Sequence, residues 1–485
     1  MNDPIRRLSM ITGIFFVMLL AASSWLQVLG ASAINERADN RRTVLSSFAR
    51  ERGQILIDGK PIASSTPLED GQYKWQRVYE QPERYAHVTG YYSFLYGAGG
   101  GIEGAENSLL SGQDDKLFYG RIGDTLAGRE PKGASVELTI NPKAQAAAEQ
   151  ALGDQRGAVV ALNPKTGAIL AMVSNPTYDP TPLVSRDQQV AERAWKSYNE
   201  DSARPMVNRA IGGNLYPPGS VFKVITAAAA LEDGRWDENS SIPGPAVLDL
   251  PQTSADLPNS HPGACGPGGQ VTIADAMRQS CNTAFGWLGL ELGGQAVGDQ
   301  ASKFGFGDNL SVPMRVTPST FPTNLNPPQE AQSAIGQYDV RVTPLQVAMM
   351  TAGVANDGVV MRPYLVGRTL GSDLKVLSET DPEELSRAVS RGTADQLTDM
   401  MKLVVSSGTG TRAQVPGVSV AGKTGTAQHT AGAAPHAWFT GFAPADNPEV
   451  AVAVVVEDGG NAGNEAAGGS VAGPISAAVM QAVLN

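Results

Sequence analysis

Tyr216-Pro217-Pro218-Gly219-Ser220-Val221-Phe222-Lys223-Val224-Ile225-Thr226, continued by the alanine run Ala227–Ala230, decides how the rest of the chain reads. Pro-Pro-Gly sets a turn, and the apolar residues after it predict a buried helix. Serine at the start of that helix matches a helix N-terminus. One helical turn separates Ser220 from Lys223, so the two side chains share a face. A serine hydroxyl is a weak nucleophile at neutral pH and needs a neighbouring base. Lys223 can serve if burial and a second cation strip its charge. Read alone, the same residues also describe an ordinary N-cap beside a solvated lysine.

Two further pieces follow at intervals of roughly 60 and then 140 residues. The first is Ser280-Cys281-Asn282, after a helical stretch Ile273–Arg278. In an extended loop the x+2 spacing turns Ser280 and Asn282 to one side. Ser280 can relay a proton between Lys223 and a leaving amine, and the Asn282 amide can hold a peptide backbone with one donor and one acceptor. A polar turn bonded to its own backbone is the plainer alternative. The second is Lys423-Thr424-Gly425-Thr426, inside a predicted strand Ser419–Gln428. Gly425 lets another backbone approach, so a peptide can lie along this edge as an added strand. Lys423 with the Thr424 and Thr426 hydroxyls would hold a carboxylate. The backbone N–H groups of Ser220 and Thr426 would form an oxyanion hole. Lys423 is also the cation that could depress the Lys223 pKa.

Ser-x-x-Lys, Ser-x-Asn and Lys-Thr-Gly in this order are the signature of enzymes that open D-alanyl-D-alanine peptides or β-lactam rings through an acyl-serine. The chain resembles the class B penicillin-binding proteins over most of its length. The likeness includes Arg204–Ala210 running into Tyr216–Ser220, Gly157–Leu162, Asn163–Gly167 and Ile169–Val173. It also includes Gly336-Gln337, Thr343–Gln346, Gly408–Thr411, Arg52–Ile55 and Gly101-Ile102-Glu103. The resemblance implies a DD-transpeptidase of peptidoglycan synthesis, with stem peptides as donor and acceptor and β-lactams as covalent inhibitors. Ser220 would attack, Lys223 and Ser280 would move protons, and Asn282 and Lys423–Thr426 would bind substrate. Cell-wall or division proteins are the implied partners. Water as acceptor would instead make a D,D-carboxypeptidase or β-lactamase. A non-enzymatic penicillin sensor or division scaffold would be free to lose Ser220, Lys223 or Ser280, and all are present.

The 485 residues carry a formal charge of −11, which argues against a general nucleic-acid binder. Four histidines and two cysteines show no metal-ligand spacing, and the expectation is no metal and no cofactor. His429 and His436 read as structural or surface residues. No charged residue falls between Arg7 and Glu36, and Met10–Leu29 is long and apolar enough to span a bilayer. Arg6 and Arg7 place the N-terminus in the cytoplasm, and Trp25 suits the far interface. Ala31-Ser32-Ala33 leaves open a cleaved signal, although the apolar stretch is long for one. An extracytoplasmic compartment permits a Cys265–Cys281 bridge, which would tether the Ser-x-Asn loop; two buried free thiols are the alternative.

The expected organisation is a cytoplasmic tail at 1–7, a membrane helix at 8–30, a non-catalytic module at 31–135 and the transpeptidase domain at 136–485. Gly97–Gly101 reads as a flexible turn, because no Gly-Lys-Ser/Thr follows it. Val136–Ile140 alternates like a strand, and Asn141-Pro142 opens a helix through Leu152. Ala158–Leu162 and Ala168–Val173 predict a hairpin. Strands follow at Ser419–Gln428, Ala437–Ala443 and Val450–Val456, the last apolar throughout and hence buried on both faces. Ala472–Leu484 predicts a closing helix. The pattern is α+β, an antiparallel sheet covered by helices. The resemblance specifies five strands, an all-helical lobe, and Ser220 at the junction.

Overall fold

The computed structural model describes residues 3–26, 48–69, 73–117, 128, 130, 132–430 and 432–485. Helix α1 (Asp3–Ser24) is apolar and has no buried residue, with a mean hydropathy of 1.7 over its most apolar window. It is long enough to cross a bilayer. It starts at Asp3, so Arg6 and Arg7 lie within its first two turns. Residues 27–30 of the expected span, and Ala31-Ser32-Ala33, lie outside the described residues.

The next unit is a six-stranded sheet in the order Val376–Glu379, Val366–Leu370, Ser135–Leu138, Ile55–Ile57, Lys60–Pro67, Trp75–Tyr79. Ile55–Ile57 and Ser135–Leu138 run parallel; the other neighbours are antiparallel. This sheet takes strands from both sides of residue 135, because a strand pairs by backbone hydrogen bonds regardless of distance along the chain. Glu103, on the short helix Gly101–Ala105, is fully buried against the edge strand Trp75–Tyr79, 2.6 Å from Arg52 Nε and 2.5 Å from Arg77 Nε, with the Tyr79 hydroxyl at 3.2 Å. Burial pushes the Glu103 carboxyl up, but the two guanidinium groups outweigh it and hold the group below its ordinary value. The glycine run is not a flexible turn. Gly97–Gly99 pairs with Tyr91–Ser93, and Gly101 starts a short helix. Gly101 has φ +44°, and a Cβ there would lie 2.2 Å from the Gly90 backbone nitrogen, so the run is a close backbone contact.

The third unit is built on a five-stranded antiparallel sheet. Its strands are β1 (Gly157–Leu162), β2 (Ile169–Asn175), β3 (Ala421–Ala427), β4 (His436–Ala443) and β5 (Val450–Val456), in the spatial order β3-β4-β5-β1-β2. Every residue of β1, β4 and β5 is buried. Alternation along β5 sends Val452, Val454 and Val456 into one core and Ala451, Ala453 and Val455 into another. The first core is closed by the C-terminal helix Gly468–Leu484, through Ile475 and Val479, and by Pro142–Leu152, through Leu152. Asn141 caps the latter helix as expected, accepting from the Lys143 and Ala144 N–H groups. The second core holds α2 (Lys223–Asp233), α3 (Ile273–Gln279), α4 (Asn282–Lys303), α5 (Pro327–Ala334) and the wholly buried Pro344–Ala355 helix. β3 is an edge strand of the sheet, packed against the helix Arg391–Ser407 and the turn Gly219–Phe222.

Candidate active site

Ser220 lies inside a tight 3₁₀ turn, Gly219–Phe222, that feeds α2; it is not the helix cap. Pro218 occupies the cap position, and Gly219 adopts φ +55°. A Cβ on Gly219 would sit 2.7 Å from the Thr426 carbonyl oxygen and 3.0 Å from Ala427 Cβ. Glycine is thus what lets the Ser220 turn press directly on β3. Across the same contact, Gly425 faces Val221 and Trp438, and the Trp438 indole donates to the Pro217 carbonyl at 3.1 Å. Tyr216 is anchored through its hydroxyl to Glu457 at 2.7 Å.

Lys223 is fully buried in the first turn of α2. Its Nζ donates to the Ser280 carbonyl at 2.7 Å, to Asn282 Oδ1 at 2.7 Å, and at longer range to Ser280 Oγ at 3.4 Å. None of these bonds goes to Ser220, although the sequence puts the two one turn apart. Burial, and secondarily the charge of Lys423, push the Lys223 pKa well below its ordinary value.

Ser280 and Asn282 do not lie in an extended loop. Ser280 ends α3 in the left-handed region (φ 61°, ψ 42°), Cys281 follows, and Asn282 begins α4. This abrupt reversal, instead of strand alternation, aims the Ser280 carbonyl, the Ser280 hydroxyl and Asn282 Oδ1 at one ammonium. Both ends of the Asn282 amide are engaged, since its Nδ2 donates to the Pro258 carbonyl at 3.1 Å.

Lys423, also fully buried, reaches Ser280 Oγ at 2.8 Å and the Thr424 carbonyl at 2.8 Å. Ser280 Oγ thus bridges the two lysines. Burial brings the Lys423 pKa down to about 7. Thr424 is buried, with its hydroxyl against that of Thr409 at 2.6 Å, while Thr426 is exposed on the open side of β3. The expected carboxylate clamp of Lys423, Thr424 and Thr426 is therefore divided in this state: Thr426 is free, and the other two have internal partners.

Cys265 and Cys281 stand bridged in the structure, with Cα atoms 6.1 Å apart. Beside them Asn259, which no motif singled out, accepts the Asn282 and Thr283 N–H groups at 3.0 and 3.1 Å and so caps α4. Thr409 was visible only as part of Gly408–Thr411. No local signal marks Asn259, because it acts across a gap of over twenty residues. His429 and His436 stack 4.0 Å apart beside Asp458, and His429 Nε2 lies 2.9 Å from the carboxylate. His436 Nδ1 already accepts the Asp458 N–H at 3.1 Å, which makes this a packed pair beyond the end of β3.

The penicillin binding protein transpeptidase domain model matches residues 157–481, and the penicillin binding protein A dimerisation domain model matches residues 52–136. The chain belongs to the penicillin-binding transpeptidases. It is 42% identical to the peptidoglycan D,D-transpeptidase PbpA of Mycolicibacterium smegmatis, covering all of this chain and 99% of that protein. The PbpA of Mycobacterium tuberculosis is 41% identical with the same coverage. Among solved structures, the ceftriaxone acyl-enzyme of M. tuberculosis penicillin-binding protein A superposes with a TM-score of 0.87 at 42% identity. It covers 91% of this chain and 100% of that one. The penicillin G acyl-enzyme of the same protein gives 0.85 over 90% and 100%. A family member with this site has serine acyl-transfer chemistry, and β-lactams are its covalent inhibitors.

Proposed function

We propose that the protein cross-links peptidoglycan as a D,D-transpeptidase, with Ser220 as nucleophile. The observation that carries this is the buried Lys223–Ser280–Lys423 chain beside the Ser220 turn. Lys223, uncharged, takes the Ser220 proton as Oγ attacks the carbonyl between the last two D-alanines of a donor stem peptide. The Ser220 and Thr426 N–H groups receive the developing oxyanion. Ser280 passes the proton to the departing amine nitrogen, the amide C–N bond breaks, and D-alanine leaves. An ester on Ser220 remains. The amine of a second stem peptide attacks this ester and gives up a proton along the same relay, and Ser220 Oγ takes a proton back as it departs. A β-lactam reacts in the first half only, because its ring nitrogen stays tethered and blocks the acceptor.

Asn282 and the Lys423–Thr426 strand bind the donor. This requires Asn282 to exchange its Pro258 partner for the substrate, and Lys423 or Thr424 to turn towards the carboxylate. Arg6 and Arg7 hold the N-terminal end of α1 on the cytoplasmic side, which puts the catalytic unit outside the membrane. That compartment favours the Cys265–Cys281 bridge. The module before the transpeptidase unit raises the site off the membrane and offers a surface to cell-wall or division proteins.

A fluorescent penicillin tests the nucleophile. The wild-type protein becomes covalently labelled and Ser220→Ala does not; labelling that survives the substitution rejects Ser220. Product analysis with a lipid-linked substrate tests the reaction class. Cross-linked dimers are expected, and exclusive release of tetrapeptide would reassign the protein as a carboxypeptidase.

A further inference from the structure

The turn that follows α5 touches both halves of the oxyanion site. Ala334, the last residue of α5, accepts the Thr226 hydroxyl of α2 at 2.7 Å. Gly336 accepts the Gly219 N–H at 2.9 Å, immediately before Ser220. Gly336 adopts φ +73°, and a Cβ on it would lie 2.2 Å from the Gly219 carbonyl oxygen, so the two turns are in backbone contact. The next residue, Gln337, is fixed by its own N–H donating to Gln332 at 3.0 Å. Its side-chain amide lies against Gln428, one residue past the last paired position of β3. In the orientation that satisfies both groups, Nε2 donates to the Gln428 carbonyl at 3.2 Å and Oε1 accepts the Gln428 N–H at 3.3 Å. One side chain thus imitates a neighbouring strand at the end of the edge strand, two residues beyond Thr426.

We infer that Gln337 is a positioning residue for acyl transfer: its amide pins the end of β3 to the Ser220 turn and so sets the separation of the Ser220 and Thr426 N–H groups. The inference rests on the reading of Ser220 as nucleophile. An oxyanion hole stabilises charge only when both donors are held at the position the oxygen will take. With the amide gone, the Gly336–Gly219 bond still holds Ser220 and β4 still pairs with β3, but the end of β3 loses its tie to the Ser220 turn. Thr426 N–H then samples positions away from the hole.

The test uses the full chain with Gln337→Met, which keeps the side-chain volume, and Gln337→Ala, which does not. Acylation by penicillin is expected to slow by about ten- to a hundred-fold in both, below the ~10²–10³ for outright loss of an oxyanion donor. Hydrolysis of the acyl-enzyme should slow by a similar factor, because both steps use the same hole. The pH midpoint of acylation should stay in place, because neither lysine is touched. Wild-type rates in Gln337→Met with a defect only in Gln337→Ala would show a packing role and overturn the inference. A moved pH midpoint with unchanged deacylation would do so too, by placing the effect on Lys223. Labelling of Ser220→Ala would instead defeat the underlying assignment, so the two failures are distinct.

Discussion

Ser280→Ala removes one oxygen that Lys423 Nζ reaches at 2.8 Å and Lys223 Nζ at 3.4 Å. The Ser280 main-chain carbonyl, at 2.7 Å from Lys223, is retained, so the substitution isolates the hydroxyl. The stability cost is mainly one charge-assisted hydrogen bond, about 1.5–3 kcal/mol. The 3.4 Å contact is near the limit of hydrogen bonding and adds little. A domain with a total stability of about 5–15 kcal/mol stays folded. At roughly 2–4 °C per kcal/mol, the melting temperature falls by roughly 3–12 °C. The kinetic cost is larger, because proton relay by a positioned group contributes about 10²–10⁴ in rate, or about 3–5 kcal/mol of barrier. The assay is the second-order rate of labelling by a fluorescent penicillin, with thermal melts on the same samples. A D-Ala-D-Ala peptide donor should suffer at least as much, since its amine must be protonated to leave while the β-lactam nitrogen stays attached. Labelling within about threefold of wild type, alongside the fall in melting temperature, would make Ser280 a structural hydroxyl and refute the relay.

Lys423→Met removes the second cause of the low Lys223 pKa, so the acid limb of acylation moves to higher pH; a limb that stays put would show that Lys423 does not bias Lys223. Lys423 itself titrates at about 7 in the folded protein against an ordinary 10.5, so the unfolded chain binds more protons between these values and stability rises with pH across that window. Unfolding of Lys423→Met followed against pH should show a flatter rise, and an unchanged slope would contradict the burial of a neutral amine. Glu103→Ala leaves Arg52 and Arg77 buried without their carboxylate and should cost about 3–5 kcal/mol, read as a lowered urea midpoint; an unchanged midpoint would mean the triad is not buried in solution. In the wild type this contribution is present above the ordinary glutamate pKa and is lost as pH falls through the lowered folded value. Reduction of Cys265–Cys281, or Cys265→Ser, should cost about 3 kcal/mol for a loop of roughly 15 residues and slow acylation by freeing the segment that caps Asn282; identical melts with and without reductant would count against the bridge.

The apolar runs were legible because strand burial leaves a direct imprint on composition. Val450–Val456 is uniformly apolar and lies in two cores at once, and Gly157–Leu162 pairs with Ile169–Asn175 as a hairpin. The turn before α2 was legible because Pro217-Pro218-Gly219 strongly favours one, although the helix itself begins at Lys223 and not at Ser220. The reversal at Ser280 was not, since a left-handed serine between two helices has no distinct sequence mark. The crossing of residue 135 by the six-stranded sheet was also hidden, because Val366–Leu370 joins it from more than two hundred residues away. Asn259 escaped, and Gln337 was visible only as part of Gly336-Gln337 with no role, for the same reason: each bonds to backbone groups far along the chain.

From its order of residues alone, this chain carried the signature of serine acyl transfer. Spacing within one helical turn or one strand is fixed by covalent geometry, and Ser220–Lys223 and Lys423–Thr426 are local in that sense. Folding in three dimensions decided what those side chains are to one another. It put Ser280 between two lysines that are 200 residues apart in the chain, and it buried both amines. A lysine loses its charge readily where water is excluded, and more so where another cation is close. Both conditions are properties of the packed molecule and of no segment of it.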